Sequence, residues 1–282
     1  MKQTTKILLT LATSTGMSQA AVVLDVDYSS FTAGDTFGDG ERIEDISGNG
    51  YHGFWGDAAG SYSIVTTATG VGIDTSLATR GHTFHRDGLT GIPTAWDGGT
   101  TSTTPYFTLG AATSYTFESV VQFASTTAAT AGIDGLMGQT GGNEAWIRAN
   151  NGSLQYTFNS GSVISQFGTT IDISSAYDGN AHNIALVLDR TAGEIRSYLD
   201  GTLIHTDSNA GIATLGGMLN GSSDFRTAAY NTIDSNAFTG ISDRYRISDT
   251  ALTSGDFLAV PEPSSTALLG LGGLALILRR RK

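Results

Sequence analysis

Short segments that alternate apolar and polar residues, separated by turns, constrain this chain more than any other feature of its sequence. In residues 114–123 (SYTFESVVQF), an extended strand would carry mostly apolar side chains on one face and Glu118 and Gln122 on the other. Residues 195–207 (IRSYLDGTLIHTD) predict two strands joined by Asp200-Gly201, a dipeptide suited to a two-residue hairpin turn. No long segment between residues 21 and 259 has helical periodicity, so the pattern predicts an all-β fold.

Composition and strand spacing indicate which kind of all-β fold to expect. Only 15% of the residues are charged, and 37 glycines are available for tight turns. Residues 182–190 (HNIALVLDR) predict a strand that is buried on both faces. Further strands are predicted at Val22–Tyr28, Tyr62–Thr66, Tyr106–Leu109, Glu144–Ala149, Leu154–Phe158, Asp224–Tyr230 and Gly240–Ile247. Many short strands without crossover helices are typical of a sandwich of two antiparallel sheets, and no linker divides residues 21–259.

The first twenty residues have the three-part layout of a secretory signal peptide. Lys2 and Lys6 precede a short apolar stretch, and Ser18-Gln19-Ala20 offers small residues at the positions before a cleavage site. We therefore expect residues 1–20 to be removed on export. The alternative is a first core strand or helix. The chain has no cysteine, which excludes disulfides and thiolate metal sites.

The last residues form a second targeting segment, 260–282. Pro261-Glu262-Pro263 is followed by an apolar stretch and then by Arg279, Arg280, Arg281 and Lys282. As a helix the stretch is shorter than the roughly 30 Å bilayer core. This order resembles the PEP-CTERM sorting signal of Gram-negative bacteria. The resemblance implies a short hydrophobic helix, transient insertion in the inner membrane, cleavage by an exosortase-type protease, and delivery to the cell surface or extracellular matrix. A permanent anchor is the alternative.

Four phrases in the body, in order, resemble laminin G-like, concanavalin A-like lectin/glucanase domains. They are residues 45–53 (DISGNGYHG), 114–123, 182–201 (a strand ending in YLDG) and 238–252 (FTGISDRYRISDTAL). The resemblance implies a jelly-roll sandwich of two antiparallel sheets whose first and last strands lie side by side. The chain departs from the family pattern at two positions: Ala181 stands where the family usually has a Trp, and Arg244 stands where it has an acidic residue.

A structural calcium ion is one expectation. Calcium takes six to eight oxygen ligands from carboxylates, amides and carbonyls. Asp45 and Asn49 offer such oxygens in a bent loop, and the resemblance implies that Asp243 on the closing strand comes close to them. The other interpretation is that Asp45 and Asn49 only cap a turn by bonding to their own backbone.

Glycoside hydrolysis is not expected. It requires two carboxylates facing each other across a sugar, and the glucanases of this fold carry them as alternating acids on one strand. None of the body's glutamates opens such a pattern. These are Glu41, Glu44, Glu118, Glu144 and Glu194. We therefore expect no catalytic residues, although a divergent glycoside-active enzyme remains an alternative.

Glycan binding is the leading functional hypothesis. Sugar sites combine aromatic surfaces with a few polar groups. Trp96, Trp55 and Tyr51 are the leading candidates, and Trp146 and Tyr62 could also serve, although aromatic residues in a sandwich more often fill the core. The net charge of −11 and the lack of a basic stripe argue against nucleic-acid binding. The sequence thus predicts an exported, non-enzymatic protein that binds a glycan or matrix polymer. A purely structural matrix protein without a specific ligand is the other alternative.

Overall fold

The computed structural model describes residues 20–37, 42–55, 62–67, 69–75, 82–86, 108–111, 113–128, 131–219, 225–229 and 237–260. Within these ranges the chain forms β-strands in two antiparallel sheets, with short 3-10 turns and no α-helix. No helix in this part of the chain is long and apolar enough to cross a membrane. The predicted all-β sandwich is confirmed, whereas the predicted C-terminal helix lies outside the described residues.

Seventeen strands are described along the chain. They are β1 (Val22–Val26), β2 (Thr36–Phe37), β3 (Arg42–Ile43), β4 (Tyr51–Trp55), β5 (Tyr62–Thr66), β6 (Val71–Asp74), β7 (His82–Arg86), β8 (Tyr115–Phe123), β9 (Ile133–Gln139), β10 (Ala145–Asn150), β11 (Ser153–Asn159), β12 (Val163–Gln166), β13 (His182–Asp189), β14 (Glu194–Leu199), β15 (Thr202–Ser208), β16 (Arg226–Thr227) and β17 (Gly240–Ser248).

Each sheet draws strands from both ends of the chain. The first sheet runs β15-β14-β13-β8-β17-β6-β5-β2, and β1 also pairs with β17. The second sheet runs β12-β11-β10-β9-β16-β7-β4-β3. Because β1 is the first strand and β17 the last, their pairing confirms the expected neighbourhood of first and last strands.

One apolar core fills the space between the sheets. Phe117 of the first sheet meets Phe158 of the second with ring centroids 5.7 Å apart. The largest side chains that are almost fully buried there are aromatic: Tyr28, Tyr156, Tyr245, Phe123, Phe158 and Phe238. Burial of these rings supplies much of the apolar area removed from water, the dominant favourable contribution to folding.

The local predictions for the first sheet are largely confirmed. Asp200 and Gly201 have φ angles of 49° and 75°, and Leu199 pairs with Thr202 across them, as a two-residue hairpin turn requires. The strand predicted at 182–190 is buried along almost its whole length. Two other predicted strands are described only in part: residues 226–227 form a strand, and Leu109 makes an isolated bridge to Met218.

The outer face of the first sheet is covered over β8, β13 and β17 by residues 250–258, which we call the C-terminal segment. The Thr116 hydroxyl of β8 donates to the Thr250 carbonyl (2.7 Å) and accepts from the Leu252 N–H (2.9 Å). Glu118 lies two residues after Thr116 in β8, and its carboxylate accepts a hydrogen bond from the Leu258 N–H at 2.6 Å. The outer residues Thr116, Glu118 and Val120 are therefore buried as deeply as the core residues of β8, and Gln122 is half-buried.

Glu118 is the centre of this attachment. Its side chain is fully buried, and it forms an ion pair with Arg246 of β17 at 2.6 Å. Asn183 of β13 donates to Glu118 (3.3 Å) and to the Leu258 carbonyl (2.7 Å). Arg246 also donates to the Asp256 carbonyl at 2.7 Å. Charged and polar groups from three strands thus hold the C-terminal segment against the sheet.

Candidate functional site

The turn that follows β3 is organised by Asp45, the first predicted calcium ligand. One carboxylate oxygen accepts from the N–H groups of Asp25 and Ser47, both at 3.0 Å, and the other accepts from the Tyr51 N–H at 3.0 Å. The Asn49 amide donates to two carbonyl oxygens of β1, at 2.8 and 2.9 Å. The two side chains lie in one turn, where both bond to backbone groups.

Asp243, the third predicted ligand, is in a different environment. It lies on the other side of β1, which pairs with β17 along one edge and bridges to Asp45 along the other. Asp243 is 4% exposed, accepts a hydrogen bond from the Thr69 hydroxyl, and has one carboxylate oxygen without a hydrogen-bond partner. Burial, assisted by the nearby carboxylate of Asp27, raises the pKa of Asp243.

The structure therefore brings Asp45 and Asn49 together but leaves Asp243 apart. Arg244, which follows Asp243 and replaces an acidic residue usual in the family, forms an ion pair with Asp25 through two hydrogen bonds of 2.9 and 2.7 Å. The described ranges contain no group of three His, Cys, Asp or Glu side chains suited to a metal ion. Of the three predicted ligands, Asp243 alone has a buried oxygen without a hydrogen bond, so it is the one that a bound cation would satisfy.

Of the three aromatic residues predicted to bind glycan, the structure describes the side chain of one. Tyr51 is half-buried and packs against the core. The backbone of Trp55 belongs to β4, which pairs with β7, but its side chain lies outside the described part. Trp96 and the sorting-signal residues Pro261, Glu262, Pro263, Arg279, Arg280 and Arg281 also lie outside it.

A different aromatic surface lies on the outer face of the second sheet. Phe167, which follows β12, is 56% exposed, and its ring meets Trp146 edge-on with centroids 5.4 Å apart. The Arg148 guanidinium lies 5.0 Å from the Trp146 ring centroid and 5.8 Å from that of Phe167. Its Nε donates to the Gln155 side chain at 2.9 Å. We call Trp146, Arg148, Gln155 and Phe167 the aromatic–arginine face.

Strand alternation places these side chains on one surface. In β10, Ala145, Ile147 and Ala149 join the core, so Trp146 and Arg148 point the other way. Arg148 pairs with Gln155 of β11. Opposite Trp146 in β9 lies Gly138, with a φ of 150°; a Cβ there would lie 2.4 Å from the Trp146 Cα. Only glycine therefore fits beside Trp146.

A cleft of about 380 Å³, the His182 cleft, opens beside the β14–β15 turn on the first sheet. It is lined by residues 178, 180–183, 200–201, 254–255 and 257–260. Nε2 of His182 lies 3.0 Å from Asp178, and Nδ1 lies 2.7 Å from Asp200. Hydrogen bonds to Asp200 and Asp178 raise the pKa of His182, and the bond from His182 lowers the pKa of Asp178 to about 2.

Trp146 was among the aromatic residues considered in the sequence, but neither surface as a whole was predicted. The alternation in AWIRAN (145–150) was visible, yet it does not tell which face is the core. The exposure of Phe167 depends on β12 being the edge strand of its sheet, and the His182 cleft is closed on one side by the distant C-terminal segment. A search for aromatic and cationic residues two apart on one strand would have found Trp146 and Arg148.

Solved structures share this fold at low sequence identity. The receptor binding domain of botulinum neurotoxin D matches with a TM-score of 0.51 and 11% identity, covering 84% of this chain and 51% of that one. The serotype D ligand binding domain in complex with N-acetylneuraminic acid matches with a TM-score of 0.50 and 12% identity, covering 84% and 49%. This chain thus spans about half the length of both. No relative was found among curated protein sequences.

Two family models match the chain. Residues 259–282 match the PEP-CTERM protein-sorting motif, as the Pro-Glu-Pro and terminal arginines predicted, and this motif indicates an exported protein with a C-terminal tail. Residues 96–256 match the concanavalin A-like lectin/glucanases superfamily model. That match spans more than half of the chain and includes the aromatic–arginine face and most of both the His182 cleft and the C-terminal segment. The chain therefore belongs to the concanavalin A-like lectin/glucanases superfamily.

Proposed function

We propose that this protein is an exported, non-enzymatic binding protein whose ligand is a glycan, bound on the aromatic–arginine face. The observation that carries the proposal is the 56% exposed Phe167 ring, held edge-on over Trp146 with Arg148 beside both. The exposed Phe167 ring provides apolar contact area for the C–H face of a sugar, and the half-buried Arg148 can bond to hydroxyl or carboxylate groups, whereas Trp146 (7% exposed) and Gln155 (5% exposed) support these two side chains from below.

The comparisons add two supports. The family description includes lectins, and one structure of similar fold was solved in complex with N-acetylneuraminic acid, a sugar with a carboxylate. A cation beside aromatic rings suits an acidic sugar of this kind, because a guanidinium pairs with carboxylates through two hydrogen bonds. The sorting motif further supports processing by an exosortase-type protease and a location at the cell surface or in the matrix.

The test compares glycan binding by the purified chain and two variants. Phe167→Ala should weaken binding about tenfold, because it removes the exposed ring while leaving the sheet in place. Val163→Ala is the matched control, since Val163 is 64% exposed on the adjoining strand but does not belong to the face. A glycan array without hits for the wild type, or equal losses in both variants, would favour a structural matrix protein instead.

No described contact favours the enzymatic alternative. Glu118, one of the five glutamates of the body, is fully buried and paired with Arg246, which supports a structural role. Calcium is a separate proposal: a calcium ion would satisfy the carboxylate oxygen of Asp243 that has no hydrogen bond. Its ligands on this chain would include Asp243, with Asp27 and Thr69 close by.

A further inference from the structure

The His182 cleft carries two aspartates and a histidine held in a fixed arrangement. Both ring nitrogens of His182 face carboxylate oxygens, at 2.7 and 3.0 Å, and ionised carboxylates only accept hydrogen bonds. Both nitrogens must therefore carry protons for the two bonds to form together. The group of Asp178, His182 and Asp200 then has a net charge of −1, with the two carboxylates on the solvent side.

These carboxylates remain accessible to a ligand. The Asp178 and Asp200 side chains are 47% and 44% exposed, whereas His182 is only 13% exposed. Each carboxylate has about four acceptor positions. Asp200 uses them for His182 and for the Asn183 N–H (2.9 Å), so acceptor capacity is left over.

A buried amide supplies an independent indication of a ligand. Asn183 lines the cleft and is 2% exposed, and its Nδ2 is bonded to Glu118 and Leu258. Its Oδ1 has no hydrogen-bond partner. Buried acceptors without partners are rare and costly in folded proteins, so a donor from outside the chain would stabilise this one.

We propose that the His182 cleft binds a protonated amino group carried on a sugar, as found in glycans with deacetylated amino-sugar units. Asp178 and Asp200 supply the negative charge, Asn183 supplies an acceptor, and Phe257 supplies an apolar wall. The volume of about 380 Å³ falls in the lower part of the roughly 300–1,000 Å³ range of small-ligand pockets. The cleft lies on the first sheet and the aromatic–arginine face on the second, so the two sites are independent.

The probes are a glucosamine tetramer and its N-acetylated counterpart, which differ in their ammonium groups. Calorimetry on the purified chain at about pH 6.5, where a sugar amine is protonated, should show at least about tenfold tighter binding of the glucosamine tetramer. Asp200→Asn should weaken that binding roughly fivefold. Asparagine tolerates the positive φ at this position, so the turn should persist. Asp178→Asn is a second variant with the same expected direction.

Asp172→Asn is the control, because Asp172 is exposed outside the cleft and the substitution removes the same charge. Equal affinity for the two tetramers overturns the proposal, as do equal losses in Asp172→Asn and Asp200→Asn. Phe167→Ala separates this site from the proposed function. If Phe167→Ala still binds the glucosamine tetramer, the result supports binding in the His182 cleft. If Phe167→Ala loses this binding and Asp200→Asn keeps it, the amine binds elsewhere and the proposal is refuted.

Discussion

The outer faces of the two sheets are used in opposite ways. Over β8 and β13, the first sheet is covered by the C-terminal segment, and Glu118 is fully buried in an ion pair there. Over β10 to β12, the second sheet leaves Phe167 more than half exposed. One core thus supports one face that serves stability and another that offers a surface. The difference predicts that replacing the buried polar residues of the first face lowers the free energy of unfolding, while replacing the exposed residues of the second face changes glycan binding.

The largest effect is expected at Glu118. Glu118→Gln leaves Arg246 partly buried without its counter-charge, which typically costs about 3–5 kcal/mol of the free energy of unfolding. Glu194→Gln is the control, since Glu194 pairs with Arg196 at 3.5 Å with 33% of its side chain exposed, and should cost under about 1 kcal/mol. Urea denaturation measures both. Equal losses in the two variants would show that coverage by the C-terminal segment contributes little.

Gly138 should give the next largest effect, on the open face. Gly138→Ala would place a Cβ 2.4 Å from the Trp146 Cα at a φ of 150°, so strain and crowding together should cost about 3 kcal/mol. Gly161→Ala also has a positive φ (75°) but meets nothing within 4 Å, and should cost only about 1 kcal/mol. Denaturation midpoints compare the two variants. Similar midpoints would mean that Trp146 can move away from β9.

The two faces also differ in how far the sequence predicted them. Alternation in residues 114–123 identified the core side of β8 correctly, because it is a local property of the strand. It left Glu118 and Thr116 apparently outward, since their cover comes from Leu252 and Leu258, more than 130 positions further along. The Asp200-Gly201 turn was predictable because its geometry is set by the dipeptide itself. Sites that depend on sheet order or distant segments were not predictable.

Asp134, a buried carboxyl group in the second sheet, should make the stability of the protein depend on pH. It is 2% exposed in β9, accepts from the Thr239 N–H (3.0 Å) and lies 3.4 Å from the Tyr177 hydroxyl. Burial raises the pKa of Asp134 to about 6. The folded state then binds a proton more tightly than the unfolded state, whose carboxyl has a pKa near 4. Stability should therefore fall by about 2 kcal/mol as pH rises from about 4 to 6.

Asp134→Asn should remove the contribution of Asp134 to this slope, because its amide oxygen keeps the bond to Thr239 without a charge. The raised pKa of Asp243 contributes a fall of the same sign, which this variant keeps. Denaturation midpoints between about pH 4.5 and 6.5 would measure it, with Asp172→Asn as the exposed control. Since the pKa of Asp172 is lowered by hydrogen bonds from Ser174, it stays ionised across this window and its loss should leave the slope unchanged. A wild-type profile without the fall would contradict the raised pKa of Asp134.

The smallest expected effect is calcium stabilisation of the covered sheet at Asp243. With a dissociation constant near 1 mM, as in extracellular calcium modules, about 5 mM calcium would add roughly 1 kcal/mol and raise the melting temperature by about 2–4 °C. Asp243→Asn should abolish the increase. Asp45→Asn tests whether Asp45 is also a ligand, because only then should the variant lose the calcium response. If Asp45 instead only holds its turn through three N–H groups, the variant should melt at a lower temperature both with and without calcium. Magnesium at equal concentration is the ionic-strength control, and an equal response to both ions would argue against a calcium site.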